Sequence, residues 1–378
     1  MFAPQDQDKG RAEARDLTRN RSRALARRLR RAALGAVCAI AFLLPLQFVG
    51  AGAAQASMTF VPLTLVNGWT PAELSTPAVG DINGIVHLKG SIEHGTSPVA
   101  FTLPAGFRPA TEVYVPVDMC NTAKGRLDIA PSGMVSMQAE GPFSDAQCFT
   151  SLDGASFALP ASSFTPLTPV NGWTNAPYGT SSAGAADIDG IVHLKGAIAS
   201  GTSPVAFTLP AGFRPATNVY VPVDMCNATN GRLDIAPSGV VSVQAEGGAF
   251  SDAQCFTSLD GASFATSASS FTPLSLVNLW TNAPYGTSDA AAANINGIVY
   301  LKGAIATPGT EPTAFNLPAG MRPSIWVYVP VDLCGATYGH LYIEPNGDVT
   351  VAPEGGPWSP NWSDVQCFTS LDGVSFAL

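Results

Sequence analysis

The residue types that ordinarily carry chemistry are few in this chain, and their spacing argues against catalysis. There are four histidines. His87 and His193 fall at the same place in two copies of the string IVHLKG, but a third occurrence reads IVYLKG and has Tyr300 there. His94 and His340 have no matching histidines. A base or metal ligand shared by all three places is therefore excluded, and a histidine on the polar face of a strand is expected. Serines are plentiful, yet no Ser–His–acid set can recur in every copy. We expect no catalytic residue, no metal and no cofactor.

Three further sets have residue types that could bind a ligand. Asp187-Ile188-Asp189-Gly190 has the look of a calcium loop, but its counterparts are Asp81-Ile82-Asn83-Gly84 and Asn294-Ile295-Asn296-Gly297. The carboxylates are lost while the glycine stays, which points to a tight turn rather than an oxygen cage. Arg108, Arg214 and Arg322 each precede a proline, and Asp118, Asp224 and Asp332 each stand two residues before a cysteine. They could cradle a ligand; an Arg–Asp pair holding a turn against an edge strand is the expected reading. Asp153, Asp260 and Asp372 read as turn residues.

Aromatics offer a different chemistry, stacking on sugar rings. Trp69, Trp173 and Trp280 follow apolar runs and are read as core or interface residues. The third copy stands apart, with four extra residues between its cysteines relative to the second. In Gly355-Gly356-Pro357-Trp358-Ser359-Pro360-Asn361-Trp362 the Gly and Pro residues exclude a regular strand, so Trp358 and Trp362 are expected on a loop. With Tyr338, His340 and Tyr342 they form a candidate ligand-binding set. The alternative is a loop folded back onto its own or a neighbouring copy.

The elements that must position these residues come in triplicate. VPLTLVNGWT, TPLTPVNGWT and TPLSLVNLWT open three copies, with Trp69, Trp173 and Trp280 spaced by 104 and 107 residues. Each opening is followed by IVHLKG or IVYLKG, LPAGFRP or LPAGMRP, VYVPVD and QCFTSLDG. Such a period is too long for a solenoid repeat, so each copy should hold its own core. The expected divisions are 1–56, 57–160, 164–266 and 271–378, joined by short Ser/Ala-rich linkers. Within a copy, alternation dominates: Val113, Val115 and Val117 face opposite to Tyr114, Pro116 and Asp118. Pro116 removes a ladder donor and marks an edge or a bulge. Leu127 and Ile129, then Pro131-Ser132-Gly133, then Val135 and Met137 spell a hairpin. About seven or eight short strands per copy imply an all-β fold, three tandem antiparallel β-sandwich (jelly-roll-like) modules. No convincing helical period is present.

Six cysteines fall two to a copy: Cys120 and Cys148, Cys226 and Cys255, Cys334 and Cys367. A copy that folds alone must pair within itself, so three intramodular disulfides are expected, and no other ligand recurs to support zinc. Disulfides call for export. Arg27, Arg28, Arg30 and Arg31 precede the uncharged apolar stretch 32–54 and the small-x-small site Ala54-Gln55-Ala56, a signal peptide or an uncleaved anchor. Val37 before Cys38 argues against a lipidated cysteine. Beyond this segment nine Lys and Arg face twenty-four Asp and Glu, a net charge of −15, which disfavours nucleic acid.

The order GWT, IVHLKG, FTLPAGFRPA, VYVPVD, GRLDIAPSG and SLDG resembles C-terminal modules of bacteriophage tail fibres and receptor-binding proteins, over about 300 residues. The resemblance implies a β-sandwich that recognises cell-surface carbohydrate or protein, often as a trimer. It supplies no catalytic or binding-residue motif to carry over, and it departs in having an export signal and three modules in one chain. The expectation is an extracellular or cell-surface binding protein for a surface glycan or surface protein; the alternative is a structural or matrix protein whose modules self-associate. The three copies are expected either to pack as an intramolecular pseudo-trimer, with the repeated tryptophans at the shared patch, or to string out as beads.

Overall fold

The computed structural model describes residues 59–266, 271–357 and 359–378. The apolar segment, its cleavage site, Cys38, most of the second linker and Trp358 lie outside them. The chain is all-β, and each copy contributes eleven strands among the described residues, several only two residues long. Those two-residue ladders account for the excess over the seven or eight expected.

Each copy builds two antiparallel layers. One is a four-stranded sheet; in the first copy its central pair is Ala78–Ile82 with Ile85–Lys89, joined by the turn at Asn83-Gly84. The other is centred on Val113–Met119, Ala123–Ile129 and Met134–Ala139, with the expected registers Leu127 to Met137 and Ile129 to Val135. In the first copy a Thr150–Met119 pair fuses this layer with three short strands into a seven-stranded sheet; in the other copies it stays four plus three. The inward residues of both layers, such as Val79, Val86 and Leu88 against Val115, Val117 and Leu127, form the core of the first copy. Equivalent clusters fill the second and third.

Helices were not expected, and three short α-helices are present among the described residues: Phe143–Cys148, Phe250–Cys255 and Trp362–Cys367. Six residues make fewer than two turns, too short to print a period on the sequence. Each helix ends on the second cysteine of its copy. The bonds Cys120–Cys148, Cys226–Cys255 and Cys334–Cys367 pin it to the end of the VYVPVD strand. The helix also covers the repeated tryptophan. Trp69, Trp173 and Trp280 stand edge-on to Phe143, Phe250 and Trp362, and donate from Nε1 to Ser97, Ser203 and Glu311 carbonyls. They are 4–5% exposed within their own copies. They are core residues and do not form the patch between copies.

That patch is made by other motifs. The VYVPVD strands Val113–Met119, Val219–Asp224 and Val327–Asp332 touch pairwise, first with second, second with third and third with first. Their prolines pair with a strand on one side only, opposite Arg126, Arg232 and His340, so the missing donor costs no ladder bond on the side that faces the other copies. Each SLDG turn then docks on the strand of another copy. Ser258 Oγ donates to the Tyr114 carbonyl at 2.6 Å, Ser370 to Tyr220 at 2.6 Å and Ser151 to Tyr328 at 2.7 Å. Only glycine fits at the turn tip: φ is +84° at Gly261, and a Cβ there would lie 2.9 Å from Val115 Cγ1. Nine residues, a Val-Pro pair and a Gly from each copy, meet around a void of only about 20 Å³.

Candidate functional site

The ring has a polar interior read best from end to end. At one end the three turn residues meet, where Asn83 and Asn296 each donate to Asp189 Oδ2 at 2.9 Å. The expected turns are confirmed by Asp189 at φ 56° and by Gly190 N–H donating to Asp187 at 2.9 Å. Below them, Ile191, Ile298 and Tyr300 share an apolar cluster with Ile82 and Ile295. Next come His87, His193 and Tyr300, with the tyrosine edge-on to both imidazoles at 6.5 and 6.3 Å. They are buried, not on a polar face as the strand alternation suggests, because a neighbouring copy covers that face. Burial drives His87 down to about 3, helped by His193, and His193 down to about 4.

At the far end the charges close a circle. Arg126 binds Asp224 at 3.1 Å, Arg232 binds Asp332 at 3.0 Å, and His340 Nδ1 lies 2.9 Å from Asp118. The aspartates are therefore paired, but across copies and with these residues. Arg108, Arg214 and Arg322 instead donate from Nε to Leu103, Leu209 and Leu317 carbonyls beneath their own hairpin turns. Burial raises the Asp224 and Asp332 carboxyls, and their guanidinium partners oppose it. Beyond them Lys124 gathers a glutamate from each copy: Glu140 at 2.9 Å, Glu246 at 2.8 Å and Glu354 at 3.5 Å. Burial acts to lower this lysine, and the carboxylates outweigh it. Asp153, Asp260 and Asp372 stand at turns, as expected, and are buried there. Each takes a glycine N–H from its own copy, and burial pushes all three up to about 7.

Most of these groups pair with one another, while His87 Nε2, Asp332 Oδ1 and the Oδ2 atoms of Asp153, Asp260 and Asp372 are buried without a hydrogen-bond partner. The seams between copies differ. In the first-to-second seam, Gly179 of the loop Pro177–Gly179 accepts from Glu112 N–H of the first copy at 3.1 Å, and Tyr178 caps Phe256 of its own copy at 5.8 Å where that ring meets Tyr114 of the first copy at 5.1 Å. In the second-to-third seam Gly286 accepts from Asn218 N–H at 3.1 Å, and Tyr285 caps Phe368 at 5.8 Å. The covered phenylalanines are 3% and 2% exposed. The third-to-first seam has no such clasp among the described residues. The first copy's loop is two residues shorter and reads Ala72-Glu73-Leu74-Ser75 where the others read Ala-Pro-Tyr-Gly. Ser75 Oγ is turned back to accept from Ser91 N–H at 2.6 Å. The equivalent phenylalanine, Phe149, stays half-buried.

What remains is a cavity of about 340 Å³, against about 190 Å³ for the hollow at the first-to-second seam. Its walls are Trp326, Tyr328 and Phe149 on the aromatic side, and Glu73, Leu74 and Glu93 on the other. Trp326, 56% exposed, stands edge-on to Tyr342 at 5.5 Å, and Tyr328 stands edge-on to Phe149 at 4.9 Å. The size falls in the usual range for small-ligand sites.

The structure divides the candidate set read from the sequence. Tyr342 lies beside the cavity, tilted against Tyr328 at 5.0 Å and edge-on to Trp326. Tyr338 and His340 are buried in the ring; Tyr338 Oη donates to Asp118 Oδ1 at 3.1 Å, and neither can stack on a ligand. Trp362 opens a helix rather than lying on a loop. It is folded back on Trp280, with Nε1 donating to Gly309 carbonyl at 3.1 Å. Trp358 lies outside the described residues. Trp326, Tyr328, Phe149, Glu73 and Glu93 were missed. The signal was present in the copies themselves: Trp326 stands where the others have Glu112 and Asn218, and Glu93 where they have Ala199 and Ala306. No protein-family model and no curated protein matches this chain.

Proposed function

We propose that the chain is a secreted or surface-exposed binding protein that recognises cell-surface carbohydrate through the open seam between its third and first copies. The three copies stand in for a trimer. The observation that carries this reading is the broken symmetry: two seams are clasped by tyrosine loops, and the third exposes Trp326 over a cavity of about 340 Å³. An exposed indole beside a phenol offers the flat apolar faces on which a pyranose stacks, and Ser75, Ser91 and Ser324 bring hydroxyls to the rim. Three disulfides fit an oxidising, extracellular compartment. The resemblance to tail-fibre receptor-binding modules agrees with it. We infer binding without turnover: of the two carboxylates that line the cavity Glu73 is exposed and Glu93 only half-buried, and neither is enclosed in the apolar pocket that a general acid needs. Self-association as a matrix protein is less well supported, because the repeated SLDG and VYVPVD faces are already consumed within one chain.

The test is a glycan array probed with the exported protein and with Trp326→Ala. Binding to a defined glycan, weakened at least tenfold by the substitution with the unfolding midpoint unchanged, is expected. Absence of any glycan bound, or equal binding by the variant, removes the reading. Appearance of shortened oligosaccharides on incubation would show turnover and overturn the assignment as a binding protein.

A further inference from the structure

We infer that the open seam selects a glycan bearing protonated amines over the same glycan with its amines acylated. The inference rests on the carbohydrate reading above and narrows the ligand class. It follows from how charge is redistributed when the three seams are compared. In the clasped seams a guanidinium lies under the tyrosine: Arg126 over Tyr114 at 4.6 Å and Arg232 over Tyr220 at 4.7 Å. In the open seam His340 replaces the arginine under Tyr328, and it is turned to Asp118. The aspartates that accompany those arginines, Asp128 and Asp234, become Tyr342. The permanent cation has gone from this seam and an aromatic has been added.

Two carboxylates arrive from the opposite wall. Glu73 comes with the shortened loop, and Glu93 stands where the other copies have alanine. No Lys or Arg lines the cavity. Two imidazoles stand near it: His94 lies 3.6 Å from Glu93 with 70% of its side chain exposed, and His340, beneath Tyr328, is turned to Asp118. The cavity therefore joins the electron-rich faces of Trp326 and Tyr328 to two carboxylates. An ammonium group is attracted by both features, and a carboxylated or sulfated sugar is repelled by the second. The net charge of −15 beyond residue 56 adds long-range attraction of the same sign. A neutral sugar gains only the stacking.

The experiment is calorimetric titration of the exported protein at pH 6 with the glucosamine hexamer and with its fully N-acetylated counterpart. These probes share chain length and linkage and differ in charge. At least tenfold tighter binding of the amine form is expected, declining as NaCl rises. The double variant E73Q/E93Q should bring the two affinities within about twofold by weakening the amine form, with the unfolding midpoint unchanged. Equal affinities in the native protein overturn the amine selection and leave carbohydrate binding standing. A preference that survives E73Q/E93Q also overturns it, since the attraction would then belong to the acidic surface as a whole. If neither hexamer binds while another glycan does on the array, the amine selection fails and the carbohydrate reading stands; if no glycan binds at all, both fall.

Discussion

At the residue scale the clearest consequence is the behaviour of the two buried imidazoles. His87 and His193 titrate near 3 and 4 in the folded chain against an ordinary 6.5. Between those values the unfolded chain binds protons that the folded chain refuses, so this contribution to stability is lost as pH falls from about 6.5 toward 4. Asp153, Asp260 and Asp372, pushed up to about 7, act in the opposite sense over the same window, because there the folded chain holds protons that the unfolded chain releases. Absolute stability therefore mixes the two. A single substitution separates them. Tyrosine already occupies the equivalent site at Tyr300, so His193→Tyr should be accommodated. Relative to the native chain, the variant is expected to gain about 2–3 kcal/mol between pH 7.5 and pH 4.5, read from urea midpoints at the two pH values. A pH-independent difference would contradict burial of an uncharged His193.

At the element scale, the SLDG turn near the end of each copy serves the neighbouring copy's strand as well as its own sheet. Gly261 and Gly190 separate backbone strain from this contact. Both have φ of +84°, but a Cβ on Gly190 meets nothing within 4 Å, whereas one on Gly261 lies 2.9 Å from Val115 of the first copy. Alanine at Gly190 should cost about 1–2 kcal/mol for the left-handed backbone alone. Alanine at Gly261 should cost about 1–3 kcal/mol more, because a packed seam must be forced apart. Denaturant unfolding of the two variants side by side checks this, and equal losses would mean that the SLDG turn does not dock across the seam. The clasp loops make the same point from the other side: two residues and a tyrosine decide whether a seam is closed or open.

At the scale of the whole molecule, residues 59–378 belong to one compact unit. Three copies with separate cores are tied by shared charge pairs and a shared apolar cluster on the axis. A single folded unit of this length has a radius of gyration of about 20 Å, whereas three such modules in a row give about 30 Å. Small-angle scattering of the exported chain is expected to give the smaller value. The larger one would mean that the copies part in solution, and would dissolve the seam cavity with them.

Much of one copy is legible in the chain. Period-two alternation marks the strands, Pro131-Ser132-Gly133 marks the hairpin, and two cysteines per copy fix the disulfides, because all of these are local or repeat with the copy. The three helices escape, since six residues cannot show a helical period. What one copy does to another is invisible to this kind of reading. Alternation puts His87 and Asp118 on a polar face, and only packing reveals that a second copy covers it, turning a solvated face into a ring of buried charges. The repeated tryptophans, marked by their spacing, fill their own cores. Among the described tryptophans, Trp326, unmarked by any repeat, is the one left open to solvent at the seam. Repetition identifies what each copy needs in order to fold. The binding cavity depends on where the copies differ, and whether a difference falls in a core, a ring or an open seam is set by the tertiary contacts, which bring together residues more than 200 positions apart.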